Sequence, residues 1–455
     1  MSTPSTPRPL YIGCAAGFSG DRTDAAGPVV DTLIGLEGDA FLIFETLAER
    51  TLAFAQLARK RDPDAGYEPL LDDMLRPVLQ RCLEHGIRIV SNFGAANPRG
   101  AARHILRMAQ ELGLPPPRVA VVEGDDVVGE AQRPLLLASL SADESSQPIV
   151  AANAYQGAEG IVAALRAGAQ IVVAGRVADP SLAVGPIVAH YGWSWDDWSR
   201  LGKAVVVGHL LECGAQVTGG YYADPGYKDV PDLDNVGYPI AQVMDSGDCI
   251  IFKSQGTGGC VNEHTVKEQI LYEMHDPAAY VSPDAVADIT QLVVKEIGPD
   301  RVQVTGATGH PRPDNLKVNV YYDGGWLAEG EISYSGVRAE ARARMAGEIL
   351  RKRLSQLHLR IDLIGVVSVF ADDDGRLLST LADAGARDVR LRVAANHDDP
   401  LQAEQLVREV NALYTCGPAG GGGVRAGVRK RLSMKSCFIP RASAPATYQL
   451  IAQEV

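Results

Sequence analysis

Apolar runs alternate with amphipathic helical stretches through the first half of the chain, and this narrows the fold more than anything else in the sequence. The strand-like runs are Leu10–Gly13, Phe41–Phe44, Ile87–Ser91, Val119–Glu123 and Ile171–Ala174. Between them Leu47–Arg59, Leu70–His85, Arg99–Leu112 and Gly157–Ala167 carry helical periodicity. Apolar strands separated by helices are buried on both faces, so the order predicts an α/β domain with a mainly parallel sheet. Gly86 supplies the stop signal for the helix Leu70–His85.

The texture changes after Trp193–Trp198. Residues 214–260, rich in Gly, Tyr, Asp and Pro, read as a long irregular insertion or cap. Strand-like alternation returns at Ile250–Lys253, Val302–Thr305 and Leu316–Tyr322, and Asp323-Gly-Gly325 reads as a turn before Trp326–Ser333. A helix over Gly336–Gln356, strands at Ile361–Phe370 and Val389–Val393, and a helix over Leu401–Leu413 follow. The expected organisation is a disordered leader at 1–9, an α/β domain at 10–205, an irregular β-rich middle region at 206–335, and a smaller α+β domain at 336–455.

A net charge of -13 over 455 residues argues against nucleic acid, whose binding requires clustered Lys and Arg. No apolar run approaches the ~20 residues of a membrane span, and the N-terminus lacks the apolar core of a secretory signal. The seven cysteines are irregularly spaced, with no C-x-x-C pair. That pattern fits reduced thiols in a cytoplasmic protein and argues against structural zinc. A homo-oligomer is expected.

The first strand empties into a turn carrying Gly13, Gly17 and Gly20, which delivers Ser19, Asp21 and Arg22 to the carboxyl edge of the sheet, where α/β proteins bind ligands. Its spacing, G-x-x-x-G-x-x-G, is not the dinucleotide fingerprint; Gly20-Asp21-Arg22 is not a P-loop ending; and Asp21 stands where a nucleophile elbow needs glycine. Other polar groups follow the remaining strands: Glu45, Glu49 and Arg50; Asn92 and Asn97; Glu123 and Asp125; Arg176 and Asp179. Groups from several strand ends can surround one substrate. Each also has a local reading: Asp179-Pro180-Ser181 as a helix start, Asp125 and Asp126 as turn residues.

Glu45 and Glu49 share a helix face only if the helix begins by Glu45. In a dry pocket one of them serves as acid or base, with Arg22, Arg50 or Arg176 as charge partner, Arg22 and Arg176 as binders of a carboxylate or thioester oxygen, and Asp21 and Asn92 as orienting groups. His209 and Glu212, three apart, are candidate ligands for a divalent metal. The glycines of Gly256–Gly259 and Gly417–Gly423, with Gly420 and Gly421 in the second, offer backbone amides to an anion such as a CoA pyrophosphate. Arg425, Arg429, Lys430 and Arg431 follow that second loop, which equally reads as flexible chain beside a solvated basic face.

Seven motifs together carry a family resemblance. They are Ile12-Gly-Cys-Ala-Ala-Gly-Phe-Ser-Gly-Asp-Arg22, Phe44-Glu-Thr-Leu-Ala-Glu-Arg-Thr51, Ser91-Asn-Phe-Gly-Ala-Ala-Asn-Pro98, Ala174-Gly-Arg-Val-Ala-Asp-Pro-Ser181, Gly208-His-Leu-Leu-Glu-Cys-Gly214, Thr218-Gly-Gly-Tyr-Tyr-Ala-Asp-Pro-Gly226 and Ala328-Glu-Gly-Glu-Ile-Ser-Tyr334. In these the chain resembles the acyclic terpene utilisation proteins of the AtuA type. The resemblance implies catabolism of citronellol- and geraniol-type compounds through branched acyl-CoA thioesters, without implying residue roles. The resemblance implies that longer members carry an appended ferredoxin-like domain, and for a chain ending near Val455 a separate small ferredoxin-like protein is the expected partner. The resulting expectation is a lyase- or hydratase-like enzyme acting on an acyl-CoA or carboxylate. The alternatives are a hydrolase of a thioester, lactone or amide, a non-catalytic scaffold for a small protein, and an oxidoreductase, which the absent dinucleotide fingerprint disfavours.

Overall fold

The computed structural model describes residues 8–451, so most of the expected leader lies outside the described residues. Of its last two residues, Pro9 already joins the fold: its carbonyl accepts the Asp39 N–H at 3.0 Å.

The five predicted strands are present as β1 (Leu10–Cys14), β2 (Asp39–Phe44), β3 (Arg88–Ser91), β4 (Val119–Glu123) and β5 (Ile171–Ala174), paired in parallel in the order β1-β2-β3-β5-β4. They form the centre of a ten-stranded sheet. The sheet is mixed rather than mainly parallel. β6 (Pro239–Val243) pairs antiparallel with β1, followed by β7 (Cys249–Lys253), then β9 (Arg301–Thr305) and β8 (Val293–Gly298). On the far side β10 (Thr447–Ile451) runs antiparallel to β4. Strand β6 lies inside the stretch that reads as an irregular insertion, whereas β7 falls at the expected Ile250–Lys253; the first part of the stretch holds two 3-10 turns.

Period-two alternation divides the strand residues between two cores. Leu10, Ile12, Phe41, Ile43 and Val172 face one core with the helices Glu159–Arg166, Ser181–Tyr191 and Trp198–Glu212. Tyr11, Leu42, Phe44, Ile89 and Val173 face the other, with Ala26–Ile34, Leu71–Glu84 and Pro98–Glu111. The all-apolar look of these strands thus reflects a sheet covered on both faces.

The chain divides into two compact units. The first comprises residues up to Ser146, Ala151–Val320 and Lys435 onward; the second is Gln147–Val150 with Tyr321–Met434. The second unit has its own core, including Ile332, Leu350, Ile361, Leu391 and Leu406. The expected turn at Asp323-Gly-Gly325 does not form. Asn315–Ser335 is one continuous strand, in which Gly325 takes φ +72° and donates its N–H to Asp323 at 2.9 Å, so the glycines kink the strand without ending it. The expected strand Ile361–Phe370 is shorter, Arg360–Ile364.

Candidate functional site

The carboxyl ends of β2, β3, β4 and β5 bring one connected set of polar side chains together. After β2 the chain makes an extended turn, Glu45–Ala48, before the helix Glu49–Arg61 begins. Glu45 therefore lies outside the helix, and the two glutamates do not share a helix face. Glu45 is buried, and its Oε1 accepts the Leu47 N–H at 2.7 Å and the Asn92 Nδ2 at 2.9 Å. Asn92, just past β3, returns its own oxygen to the Thr46 N–H at 2.8 Å. Burial raises the Glu45 pKa well above the usual carboxylate range, and the charge of Asp179 adds to it against the opposing Arg176. Both hydrogen bonds fall on Oε1, so Oε2 is the oxygen left to carry the proton.

Glu49 behaves in the opposite way. Burial disfavours its charge, but the Tyr155 hydroxyl, its own backbone N–H and Lys317 outweigh it and hold the carboxyl down at about 2. Its Oε1 accepts from Tyr155 Oη at 2.5 Å and Lys317 Nζ at 3.2 Å.

Arg176, past β5, is fully buried, with its guanidinium 4.4 Å from the centre of the Tyr155 ring. Its donors go to the Leu47 and Val177 carbonyls and to Asp179. That pattern locks the turn after β2 to the turn after β5 and commits the guanidinium to the protein's own acceptors. Asp179 keeps 37% of its side chain accessible, so solvent reaches the recess of the cluster there. Asp125 accepts the Arg176 N–H at 3.0 Å and the Asn153 Nδ2 at 2.8 Å, and burial pushes it up to about 6. Gly175 permits this, since a Cβ there would lie 2.7 Å from the Asp125 carboxylate. The turn reading of Asp125 understates it: it is a buried part of the network.

The other candidates divide. Asp21 closes its own turn by accepting the Gly17 N–H at 2.8 Å and takes the Tyr238 hydroxyl, while Arg22 forks onto Asp24 at 2.8 and 2.9 Å. Both organise the loop after β1. Its glycines have packing reasons: a Cβ on Gly13 would strike Val29 at 2.4 Å, one on Gly17 the Cys213 carbonyl carbon at 2.4 Å, and Gly20 takes φ +95°. Gly420 and Gly421 belong to the second unit, where Gly420 takes φ +74° and a Cβ on Gly421 would meet Ile332 at 2.8 Å. Asn97 caps the helix Pro98–Glu111, and Glu123 pairs with Arg99.

His209 and Glu212 are buried on the helix Trp198–Glu212. The His209 Nδ1 meets Glu212 at 2.9 Å and its Nε2 faces the Ile270 carbonyl at 3.3 Å. With both ring nitrogens engaged the pair does not fit a metal, and among the described residues no group of three or more His, Cys, Asp or Glu is placed to hold one. Glu212 retains a buried Oε2 without a hydrogen-bond partner among the described residues, and Asp179 lies within electrostatic reach of it. Tyr155, Lys317 and Asn319, which joins the Tyr155 hydroxyl at 3.1 Å, come from segments whose sequence carries no motif.

These features define a mixed α/β protein whose acidic side chains, with one buried arginine, gather at the carboxyl end of a parallel strand set. The chain belongs to the acyclic terpene utilisation family: the family described as "Acyclic terpene utilisation family protein AtuA" matches residues 10–450, which bears out the resemblance drawn from the motifs. No curated protein matches it. Among the described residues no helix is long and apolar enough to cross a membrane.

Proposed function

We propose that the recess at Glu45 is the active centre of an enzyme of acyclic terpenoid or branched acyl-CoA and carboxylate catabolism, with a lyase- or hydratase-like reaction. The observation that carries this reading is the opposed pair of glutamates. Burial raises the Glu45 carboxyl well above its ordinary range, while Glu49, four residues on, is held ionised by Tyr155 and Lys317. Two carboxyl groups driven apart in this way can serve as acid and base at one pH. Glu45 Oε2 delivers or takes the proton, and Asn92 fixes the orientation of the carboxyl through Oε1. Arg176 positions the turns and tempers the acidity of Glu45; substrate oxygens are left to other donors.

The test is Glu45→Gln, which keeps the shape and the acceptor oxygen for Leu47 and Asn92. Turnover on branched acyl-CoA substrates should fall by about 10²–10⁴-fold in a variant that still unfolds cooperatively and is no less stable than wild type. Normal turnover in that variant would remove Glu45 from the mechanism.

A further inference from the structure

The basic residues that follow the glycine-rich loop Gly417–Gly423 lie on a strand, Gly422–Pro440, whose part up to Met434 belongs to the second unit. The hydrogen-bonded order in that sheet is Arg360–Ile364, Asp388–His397, Asn315–Ser335, Gly422–Pro440. The last strand ends the order, so among the described residues no strand pairs with its outer side. Its N–H and C=O groups on that side form an open template for another extended chain.

Period two sorts the side chains of this strand. Val424 and Val428 pack against the core of the unit, and Lys430 meets Asp323 at 2.6 Å. The opposite face carries Arg425, Gly427, Arg429 and Arg431, all exposed. On that face of the sheet, acids and arginines pair across the strands. Arg429 meets Glu329 at 3.1 Å, Arg390 meets Glu331 at 3.3 Å, and Arg392 meets Asp362 at 2.6 Å. These pairs occupy the acids, and among the described residues Arg425 and Arg431 are in no ion pair. The two unanswered charges therefore stand at either end of one row along the edge.

Gly427, in the middle of the row, has no internal reason to be glycine. Its φ is not in the left-handed region, and a Cβ there would meet nothing within 4 Å. Glycine inside a strand weakens it, and often marks a place where a second backbone comes close.

We propose that the open edge Gly423–Met434 docks an acidic, extended segment of another protein, which joins the sheet as a further strand with Asp or Glu at alternate positions facing Arg425 and Arg431. A second copy of this chain pairing there would set Arg425, Arg429 and Arg431 among their own equivalents, and like charges across strands repel. The row that turns a copy away attracts an acidic strand. This surface is independent of the chemistry proposed at Glu45.

Fluorescence anisotropy tests it, using the full chain and a fluorescein-labelled peptide that alternates Glu and Val over about nine residues. The peptide should bind one per chain. It should bind about tenfold or more tightly than a Lys/Val peptide, and than a Glu/Val peptide N-methylated on every backbone amide, which keeps its charge but cannot pair as a strand. Arg425→Glu combined with Arg431→Glu should weaken the Glu/Val peptide by about tenfold and favour the Lys/Val one. Equal binding of the methylated peptide would reduce the row to a patch of charge and overturn the proposal, as would equal binding of the Lys/Val peptide. Unchanged affinity in the folded double variant would overturn it too. So would a wild-type dimer in sedimentation that the double variant loses, since the edge would then belong to a second copy. The peptide comparison uses the wild-type protein, so it stands if the double variant fails to fold. It reads binding alone, so turnover at Glu45 is a separate result.

Discussion

Glu45 and Glu49 stand on either side of one helix start, and their surroundings push them in opposite directions. That contrast makes pH a direct probe. A carboxyl whose folded pKa is raised binds its proton more tightly in the folded chain. Its stabilising contribution is therefore complete below the ordinary value of 4.5 and is lost as pH rises through the folded pKa. Glu45→Gln, which cannot ionise, should gain in melting temperature relative to wild type as pH climbs from 4.5. For Glu49, held at about 2, the sign reverses: its contribution is present above 4.5 and is lost as pH falls toward 2. Glu49→Gln should be less stable than wild type at neutral pH, with the gap closing in acid. Thermal melts across pH would sink this account if both variants shifted the same way. Glu45 was legible from the sequence because an acidic residue directly after an apolar strand must sit at the sheet edge. The carbonyl acceptors of Arg176, at Leu47 and Val177, were hidden, because no residue type announces them.

At the scale of elements, the turn after β1 shows how a glycine pattern can mislead about ligands. A Cβ on Gly17 would sit 2.4 Å from the Cys213 carbonyl carbon and 2.6 Å from the Gly214 nitrogen, where the loop meets the end of the helix Trp198–Glu212. Backbone cannot swing aside as a flexible side chain can, so Gly17→Ala should destabilise the protein by about 1–3 kcal/mol. Urea denaturation measures it, and a midpoint equal to wild type would show that the loop has room the structure does not. The parallel strands were readable because burial on both faces leaves unbroken apolar runs with sharp ends; β4 and β5 fall at the expected residues. Strand β6, Pro239–Val243, was missed because it begins at a proline and sits in glycine- and tyrosine-rich text, and only its pairing with β1 makes it a strand. Strand β10 was missed for the opposite reason: it is an edge strand whose Thr447, Gln449 and Leu450 are exposed, so it carries little hydrophobic pattern.

At the scale of the whole molecule, the first unit is assembled from three separate stretches of chain, and its sheet needs both ends of the sequence. Strand β1 lies in the interior of the sheet, whereas β10, near the C-terminus, covers the edge of β4 through five residue pairs from Thr447↔Glu123 to Ile451↔Val119. The approach to that strand is tied in as well. Gln156 donates to the Ala444 carbonyl at 3.0 Å, and Gly124 takes φ +114° with the Pro445 carbonyl 2.3 Å from where its Cβ would be. Gln156 in turn lies beside Arg176, whose carbonyl accepts the Gln156 N–H at 3.2 Å. Removing everything after Ser443 would bare the β4 edge and leave buried acceptors and donors unpaired next to the acidic recess. The truncated chain should therefore melt at a lower temperature, self-associate at concentrations where the full chain does not, and lose turnover together with stability. Light scattering and thermal melts of the two proteins side by side decide the matter. A truncated protein as stable and as dispersed as the full chain would show that β4 tolerates an open edge, and that the recess is set by the parallel strands alone.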